Sequence, residues 1–182
     1  MNTIIVIPAR YKSSRFPGKP LVKLLGKPMI QWVAELSAKA VGTENVYIAT
    51  DDDSITEAVN QMGYQAIMTS DTCLTGTDRL AEVAQKIEAD IYINVQGDEP
   101  LVNPEDILSI IGAKQKYPNE VINGYAEINA NEDPHSVNIP KVIFTGKEQR
   151  LVYMSRQAIP GFKDLKNAPM TYYKQVCIYA FN

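Results

Sequence analysis

Short apolar runs alternate with segments of helical periodicity through the first 116 residues. The apolar runs predict four strands, at 4–7, 46–49, 65–68 and 91–95. After each of these runs, apolar residues recur at helical spacing and predict one helix, and the four helices begin near Pro28, at Asp51–Asp53, at Thr77 or Asp78, and at Pro104. Strands that alternate with helices of this length predict right-handed βαβ units and a mostly parallel sheet covered on both faces.

The pattern changes after residue 116. Strand-like runs at 121–128, 140–144, 151–154 and 175–181 are joined by connections that contain Asn, Gly and Pro. These runs predict mixed or antiparallel additions to the sheet. The expected fold is therefore a single α/β domain over residues 1–182, with a parallel half over residues 1–116 and a mixed half over residues 117–182.

The composition limits the possible partners and location. The chain of 182 residues is long enough for one domain with a core. Its net charge is −3, from 18 basic and 21 acidic residues, which argues against a general nucleic-acid binder. The apolar runs are too short to span a membrane, and we expect no signal peptide, because the residues before the first strand lack a signal peptide's charged and cleavage regions. The two cysteines, Cys73 and Cys177, are far apart without metal-type spacing, so we expect a cytoplasmic protein with no disulfide.

A cationic loop at residues 8–21 follows the first predicted strand directly. It carries two serines, a glycine and four cations, namely Arg10, Lys12, Arg15 and Lys19. Backbone N–H groups of small residues, together with cations, suit a polyphosphate. The spacing matches neither the P-loop nor the glycine-rich dinucleotide motif, so the side chains would carry most of the phosphate charge. The alternative is a basic loop that is merely solvated.

Two acidic segments, Asp51–Asp53 and Gln96–Glu99, also follow predicted strands. In a parallel sheet, ligands bind at the carboxyl ends of the strands, near a switch in strand order. Because the cationic loop and both acidic segments lie at such ends, the polyphosphate site is favoured over a solvated loop.

The turn after the fourth strand is a candidate metal site. Gly97 lets the backbone approach a ligand closely. Asp98 would then offer one carboxylate to Mg²⁺, opposite a polyphosphate held by Arg10 and Lys19. The alternative is a turn whose acids only cap the helix at Pro104.

The segment Thr75–Arg79 is a second candidate. Gly76 would permit close approach of a ligand, and Arg79 would contact a base or a phosphate, while the same segment can also begin a helix. Arg156 follows a predicted strand and could bind a carboxylate with two hydrogen bonds, although a solvated arginine is the more common outcome. His135 lies in a polar loop and is interpreted as a surface residue.

Several linked motifs make this chain similar to the bacterial cytidylyltransferases that activate 3-deoxy-manno-octulosonate (Kdo). The matching segments keep that family's order and spacing, and they are Ile7–Tyr11, Ser13–Leu21, Ala49–Asp52, Gly76–Arg79 and Asn94–Pro100. The resemblance implies a Rossmann-like nucleotidyltransferase fold. It also implies the reaction of CTP with Kdo to give CMP-Kdo and pyrophosphate, with Mg²⁺, for lipopolysaccharide or capsule synthesis.

The same resemblance implies roles for individual residues. Arg10, Ser13 and Lys19 would hold the triphosphate, and Asp98 would hold the metal. The cytidine would lie near four residues, which are Ala9, Gly76, Arg79 and Gln96. Arg156 and Tyr179 would face the sugar acid, with residues 117–182 forming the sugar-binding and dimerisation half of a homodimer.

Departures from the family pattern fall mostly in the sugar-binding half. One example is the segment Gln175–Tyr179, where the family commonly has a histidine before its Gly-Ile-Tyr strand, and another is Asn182, where the family often has an arginine. The family pattern also continues past residue 182 with a second metal-binding aspartate, so we expect either a fragment or a truncated relative. The alternatives are a cytidylyltransferase for another acidic sugar, such as 8-amino-Kdo or a nonulosonic acid, and a non-catalytic nucleotide-binding relative. A hexose-1-phosphate nucleotidyltransferase is a weaker alternative, because Tyr11–Ser14 is not glycine-rich.

Overall fold

The computed structural model describes residues 1–12 and 16–182, which divide into two compact units. The first unit comprises residues 1–122 and 177–182, and the second comprises residues 123–176. Within the described residues, no helix combines the length and the apolar character needed to cross a bilayer.

Strands and helices alternate along the first unit. Its strands are β1 (Thr3–Ala9), β2 (Lys23–Leu24), β3 (Lys27–Pro28), β4 (Val46–Thr50), β5 (Gln65–Met68) and β6 (Ile91–Val95). Its helices are α1 (Met29–Val41), α2 (Asp53–Gln61), α3 (Gly76–Ala84) and α4 (Pro104–Lys116). The four strands and four helices predicted for residues 1–116 are confirmed. The β2–β3 hairpin was not predicted, because two-residue strands leave no periodic signal.

The sheet of the first unit has the strand order β5–β4–β1–β6, and every neighbouring pair in it is parallel. On the far side of β6, residues 178–181 of the last strand, β10 (Tyr173–Phe181), pair in the antiparallel direction. The mostly parallel sheet flanked by helices is therefore confirmed.

The core of this unit is built on β1, whose residues Ile4–Ile7 are almost completely buried. Ile4 and Val6 pack against Leu80 and Val83 of α3. Successive side chains of a strand point to opposite faces, so Ile5 and Ile7 face the other layer, where α1 packs against β1 and α4. The near-continuous apolar runs of β1 and β6 are typical of parallel strands covered on both faces.

Helix α3 begins earlier than its apolar pattern indicates. The N-cap is Thr75, whose hydroxyl accepts a hydrogen bond from the Asp78 N–H at 3.2 Å. The Asp78 carboxylate in turn accepts a hydrogen bond from the Thr75 N–H at 2.8 Å. The prediction that Thr77 or Asp78 caps the helix was wrong, because Asp78 is the reciprocal partner in a capping box three residues inside it.

The second unit is an antiparallel assembly. Its strands are β7 (Ile122–Glu127), β8 (Lys141–Phe144), β9 (Leu151–Ser155) and the first part of β10. β8 pairs with β9 and β10 in the antiparallel direction, and β7 also pairs with β10. Three aromatic rings, from Tyr125, Phe144 and Tyr173, pack together with centroids 4.3–5.7 Å apart. The predicted antiparallel additions are confirmed.

Candidate functional site

A cleft of about 130 Å³ opens at the carboxyl ends of β1 and β6. The chain passes from β1 to β4 and β5 on one side before it returns to β6 on the other, so the strand order switches between β1 and β6. Pro8, Ala9 and Arg10 line the cleft from the end of β1, and Gln96 lines it from the end of β6. This is the position at which open α/β sheets bind ligands.

The other wall of the cleft is the start of α3 and the residues before it. Cys73, Leu74, Thr75, Gly76 and Arg79 line this wall. The four residues expected near a cytidine from the resemblance, which are Ala9, Gly76, Arg79 and Gln96, therefore surround one cleft.

Two glycines allow the backbones around the cleft to approach each other. A Cβ atom on Gly76 would lie 2.9 Å from Pro8 Cγ and 3.5 Å from Gln96 Nε2. A Cβ atom on Gly97 would lie 2.7 Å from the Pro8 carbonyl oxygen. Both positions are too close for a side chain without displacement of a neighbour.

Asn94 orients Gln96 from inside the sheet. The Gln96 amide donates to Asn94 Oδ1 at 3.0 Å, and the Asn94 amide donates to the Gly76 carbonyl at 3.5 Å. Asn94 is completely buried within β6. The sequence interpretation gave it no role, although a carboxamide inside the apolar run Ile91–Val95 was a signal, since buried polar groups need partners.

Arg79 is 3% exposed, and its guanidinium is held from two sides. Its Nη1 donates to Thr69 Oγ1 at 2.5 Å, and its Nη2 donates to Asp51 Oδ2 at 3.1 Å. Asp51 directly follows β4 and Thr69 directly follows β5. Through these two contacts, Arg79 connects α3 to the carboxyl ends of both strands. Asp51 was expected only as an acidic residue at a strand end where α2 begins, and its ion pair with Arg79 was not predicted.

Cys73 faces the cleft beside a carboxylate. Its thiol donates to Glu82 Oε1 at 3.0 Å, and Glu82 Oε2 accepts the Ser70 N–H at 2.8 Å. Burial raises the pKa of Cys73, and the hydrogen bond and negative charge of Glu82 raise it further. The same hydrogen bonds lower the pKa of Glu82. The thiol is thus held protonated and is a poor nucleophile.

Lys19 and Asp98 form an ion pair, with Nζ and Oδ2 separated by 2.5 Å. Lys19 lies in a short 3₁₀ turn over Lys19–Leu21 that ends the cationic loop, and the Gly18 N–H donates to the Tyr11 carbonyl at 2.9 Å. The side chains of Lys19 and Asp98 are 41% and 49% exposed. Exposed pairs of this kind are worth roughly 0–1 kcal/mol, so both groups can exchange partners for a ligand.

The loop between β1 and this turn is only partly described. Arg10 and Lys12 are exposed. Ser13, predicted to hold phosphate, lies outside the described residues, as do Ser14 and Arg15. The structure therefore brings together Lys19 and Asp98, and places Arg10 on the cleft wall.

The donor set for a metal ion is sparse. No group of three or more His, Cys, Asp or Glu side chains suited to a cation occurs among residues 1–12 and 16–182. Asp98 is an exposed carboxylate in the turn just after β6. That arrangement fits an ion which takes one or two protein carboxylates and completes its shell with phosphate oxygens and water.

The two residues expected to face a sugar acid lie on different elements. Tyr179 is on β10, opposite Asn94 in the register, and its ring stacks on Phe181 at a centroid distance of 6.1 Å. Arg156 belongs to the second unit and directly follows β9. Its Nη1 donates to the carbonyls of Val137 and Asn138 at 3.1 and 3.4 Å.

A parallel sheet with a cleft at its switch point, and a cationic loop after its first strand, defines a nucleotide-binding α/β protein. Residues 4–182 match the family model described as cytidylyltransferase, and the chain belongs to this family.

Several characterised proteins are similar to the chain over its whole length. A 3-deoxy-manno-octulosonate cytidylyltransferase from Escherichia coli is 42% identical over 180 residues, which are 99% of this chain and 72% of that protein. An 8-amino-3,8-dideoxy-manno-octulosonate cytidylyltransferase from Shewanella baltica is 41% identical, covering 100% of this chain and 75% of the other.

Solved structures agree with this assignment. The structure of CMP:2-keto-3-deoxy-manno-octonic acid synthetase complexed with CTP superimposes with a TM-score of 0.91 at 43% identity, over 100% of this chain and 74% of that one. A cytidylyltransferase from Leptospira borgpetersenii, at 22% identity and a TM-score of 0.60, shares the fold.

Proposed function

We propose that this chain transfers CMP from CTP to the anomeric hydroxyl of 3-deoxy-manno-octulosonate, giving CMP-Kdo and pyrophosphate. The observation that carries the proposal is the pairing of Lys19 with Asp98 just beyond Gln96, which itself lines the cleft at the strand-order switch. Lys19 could bind phosphate and Asp98 could bind a metal ion, and this pair lies beside the cleft whose lining residues are expected to contact cytidine. Membership of the cytidylyltransferase family supports the same reaction.

The reaction needs no covalent intermediate with the protein. It requires that the two substrates are positioned and that the phosphate charge is neutralised. The anomeric oxygen attacks the α-phosphorus, the bond from that phosphorus to the bridging oxygen breaks, and pyrophosphate leaves. The hydroxyl proton passes to solvent. Arg10 and Lys19 would hold the triphosphate and stabilise the charge that develops on the leaving group.

Cytidylyltransferases are generally metal-assisted, and we propose Mg²⁺ as the ion. Asp98 would hold it together with phosphate oxygens and water, and when bound it would neutralise phosphate charge. Lys19 would then leave Asp98 for the triphosphate, an exchange that an exposed ion pair permits.

We assign the nucleotide to residues 1–116 and the sugar acid to residues 117–182, with Arg156 and Tyr179 as candidate sugar ligands. An 8-amino sugar is a second candidate acceptor, because relatives named for that substrate are 41% identical over the whole chain. A homodimer and a cytoplasmic location remain predictions from the sequence.

Pyrophosphate release from CTP, Mg²⁺ and either sugar acid tests the proposal, beside calorimetric titration of CTP alone. We expect Lys19→Ala to abolish turnover and to weaken CTP binding. Lys23→Ala is the matched control, because Lys23 is an exposed lysine four residues further on, in the β2–β3 hairpin. Unchanged turnover in Lys19→Ala, or equal losses in both variants, would contradict the phosphate assignment.

The ratio of the turnover with Kdo to the turnover with the 8-amino sugar acid identifies the acceptor.

A further inference from the structure

Lys141 is a completely buried lysine in β8 of the second unit. Its ammonium donates to two backbone carbonyls, those of Ser136 and Arg156, each at 2.7 Å. No described carboxylate lies within 4.0 Å of this ammonium. Burial lowers the pKa of Lys141, the Arg156 charge lowers it further, and Asp133 opposes this effect.

A buried ammonium that contacts no carboxylate is unfavourable for the free energy of folding. Transfer of a charged group out of water is unfavourable, and an apolar side chain of similar length would fill the same volume without that penalty. What an apolar side chain cannot do is bind two carbonyls at once. The carbonyls that Lys141 joins come from Ser136, in the loop before β8, and from Arg156, directly after β9.

The Arg156 side chain makes a second link between the same two segments. Its guanidinium donates to the carbonyls of Val137 and Asn138. Lys141 thus fixes the backbone of Arg156, and the turn at 136–138 fixes one end of its side chain. Arg156 is exposed, and no described carboxylate pairs with it. Since guanidinium has five N–H donors and carbonyls occupy one nitrogen, donors remain for an anion.

We propose that Lys141 is a positioning residue, which holds Arg156 and the turn at 136–138 in the one arrangement that presents the guanidinium to the carboxylate of the sugar acid. This inference rests on the proposed function. Lys141 touches no substrate itself, and it acts on the affinity for the acid through Arg156 alone.

Lys141→Met tests this role, since methionine keeps an unbranched side chain that is one atom shorter and removes the N–H donors. Lys114→Met is the matched control. Lys114 is 2% exposed, and its ammonium also binds two carbonyls, those of Pro118 at 2.9 Å and Glu120 at 2.6 Å. Both substitutions remove a buried ammonium, but only one of the lysines is joined to Arg156.

We expect Lys141→Met to raise KM for the sugar acid by about tenfold or more, because small misplacements of a positioning group are amplified in rate and affinity. KM for CTP should stay within about twofold of the unsubstituted chain, and Lys114→Met should change neither constant. In an Arg156→Ala background, Lys141→Met should have no further effect on KM for the acid. An unchanged KM in the single variant, or full additivity in the double variant, would overturn the proposal.

Two further measurements cover other outcomes. If Lys141→Met does not fold, Lys141→Gln places a neutral amide on a shorter side chain, and a rise in KM for the acid without a rise for CTP is still expected. If the unsubstituted chain turns over no sugar acid, the proposed function fails, and the Arg156 ¹⁵Nε heteronuclear NOE decides the positioning role by itself. An ordered Nε in the unsubstituted chain that becomes mobile only in the Lys141 variant supports it, and an unchanged NOE overturns it.

Discussion

Gly97 turns the backbone directly behind β6, and a Cβ atom at this position would meet the Pro8 carbonyl oxygen at 2.7 Å. Gly97→Ala must therefore displace the end of β1, which carries Ala9 and directly precedes Arg10. We expect a loss of about 1–3 kcal/mol in the free energy of unfolding, the usual cost of overpacking. CTP binding should weaken in parallel, as measured by urea denaturation and calorimetric titration.

Gly112 provides the control for this substitution. It lies within α4, and a Cβ atom there meets nothing within 4 Å. Gly112→Ala should stabilise the chain by about 0.5–1 kcal/mol, because alanine loses less conformational freedom in a helix. A Gly97→Ala variant as stable as Gly112→Ala would show that β1 and β6 can separate at their ends without cost.

Cys73 should react slowly with alkylating reagents, because its pKa is raised by burial and by Glu82. A raised folded-state pKa adds stability below the thiol's ordinary pKa, and this stability is lost as pH rises through the folded value. Glu82→Gln removes the negative charge, so the midpoint of the alkylation rate against pH should move to lower pH. Mass spectrometry of the Cys73 peptide measures this midpoint, and an identical midpoint would exclude Glu82 as the cause.

At the scale of single residues, the sequence predicted which side chains belong to the site better than it predicted the contacts that hold them. Lys19 and Asp98 were predicted to share a site because each follows an element that ends at the same edge of the sheet. Asn94, Asp51 and Lys141 were missed as positioning residues. Asp51 binds a side chain 28 residues away and Lys141 binds backbone carbonyls, neither of which leaves a sequence signal, whereas the carboxamide of Asn94 inside an apolar run was a signal that was overlooked.

The start of α3 shows how elements are joined around the cleft. Arg79 projects from its second turn and binds Asp51 after β4 and Thr69 after β5. Helix periodicity predicted α3, but it did not predict the start at Thr75, because capping depends on a hydroxyl and a carboxylate that also occur at neighbouring positions.

Asp51→Asn should destabilise the chain strongly. Asp51 is 12% exposed and Arg79 only 3%, so the substitution leaves a buried guanidinium without its counter-charge. Loss of one partner of a buried pair costs about 3–5 kcal/mol. We expect a clear fall in thermal stability and in CTP affinity, since Arg79 lines the cleft. Melting followed by circular dichroism, and calorimetric titration of CTP, measure the two effects.

Glu148→Gln is the control for this ion pair. The Glu148–Arg150 pair lies on the surface, with side chains 73% and 61% exposed, and exposed pairs contribute little. The variant should melt as the unsubstituted chain does. A melting curve for Asp51→Asn that coincides with that of Glu148→Gln would show that solvent replaces the lost carboxylate at Arg79.

For the molecule as a whole, the alternation of apolar runs was enough to predict a parallel sheet with two covered faces. The antiparallel strands after residue 116 were predicted as well. The division into units at 122 and 176 was not predicted. That division depends on which distant segments pack together, and on one strand contributing to both units.

The overall charge of −3 opposes the binding of CTP, whereas the cationic loop favours it. Salt separates the two effects, because raising it from about 0.1 M to about 1 M shortens the Debye length from about 10 Å to about 3 Å. If the loop binds the triphosphate, salt should weaken CTP binding in calorimetric titrations. Lys19→Gln should flatten this dependence, and Lys23→Gln should leave it unchanged. Binding that tightens with salt would show that the net charge dominates.

The shared strand β10 also has a consequence for synthesis on the ribosome. β6 ends at Val95, and the strand that covers its open edge begins only at Tyr173. At about 5–20 residues per second, that edge stays unpaired for on the order of ten seconds in every nascent chain. All five residues of β6 are buried in the folded chain. During this interval the N–H and C=O groups on one edge of the strand are unpaired, and such an edge can pair with another chain. We therefore expect β6 to be a site of aggregation in nascent chains until β10 has been made.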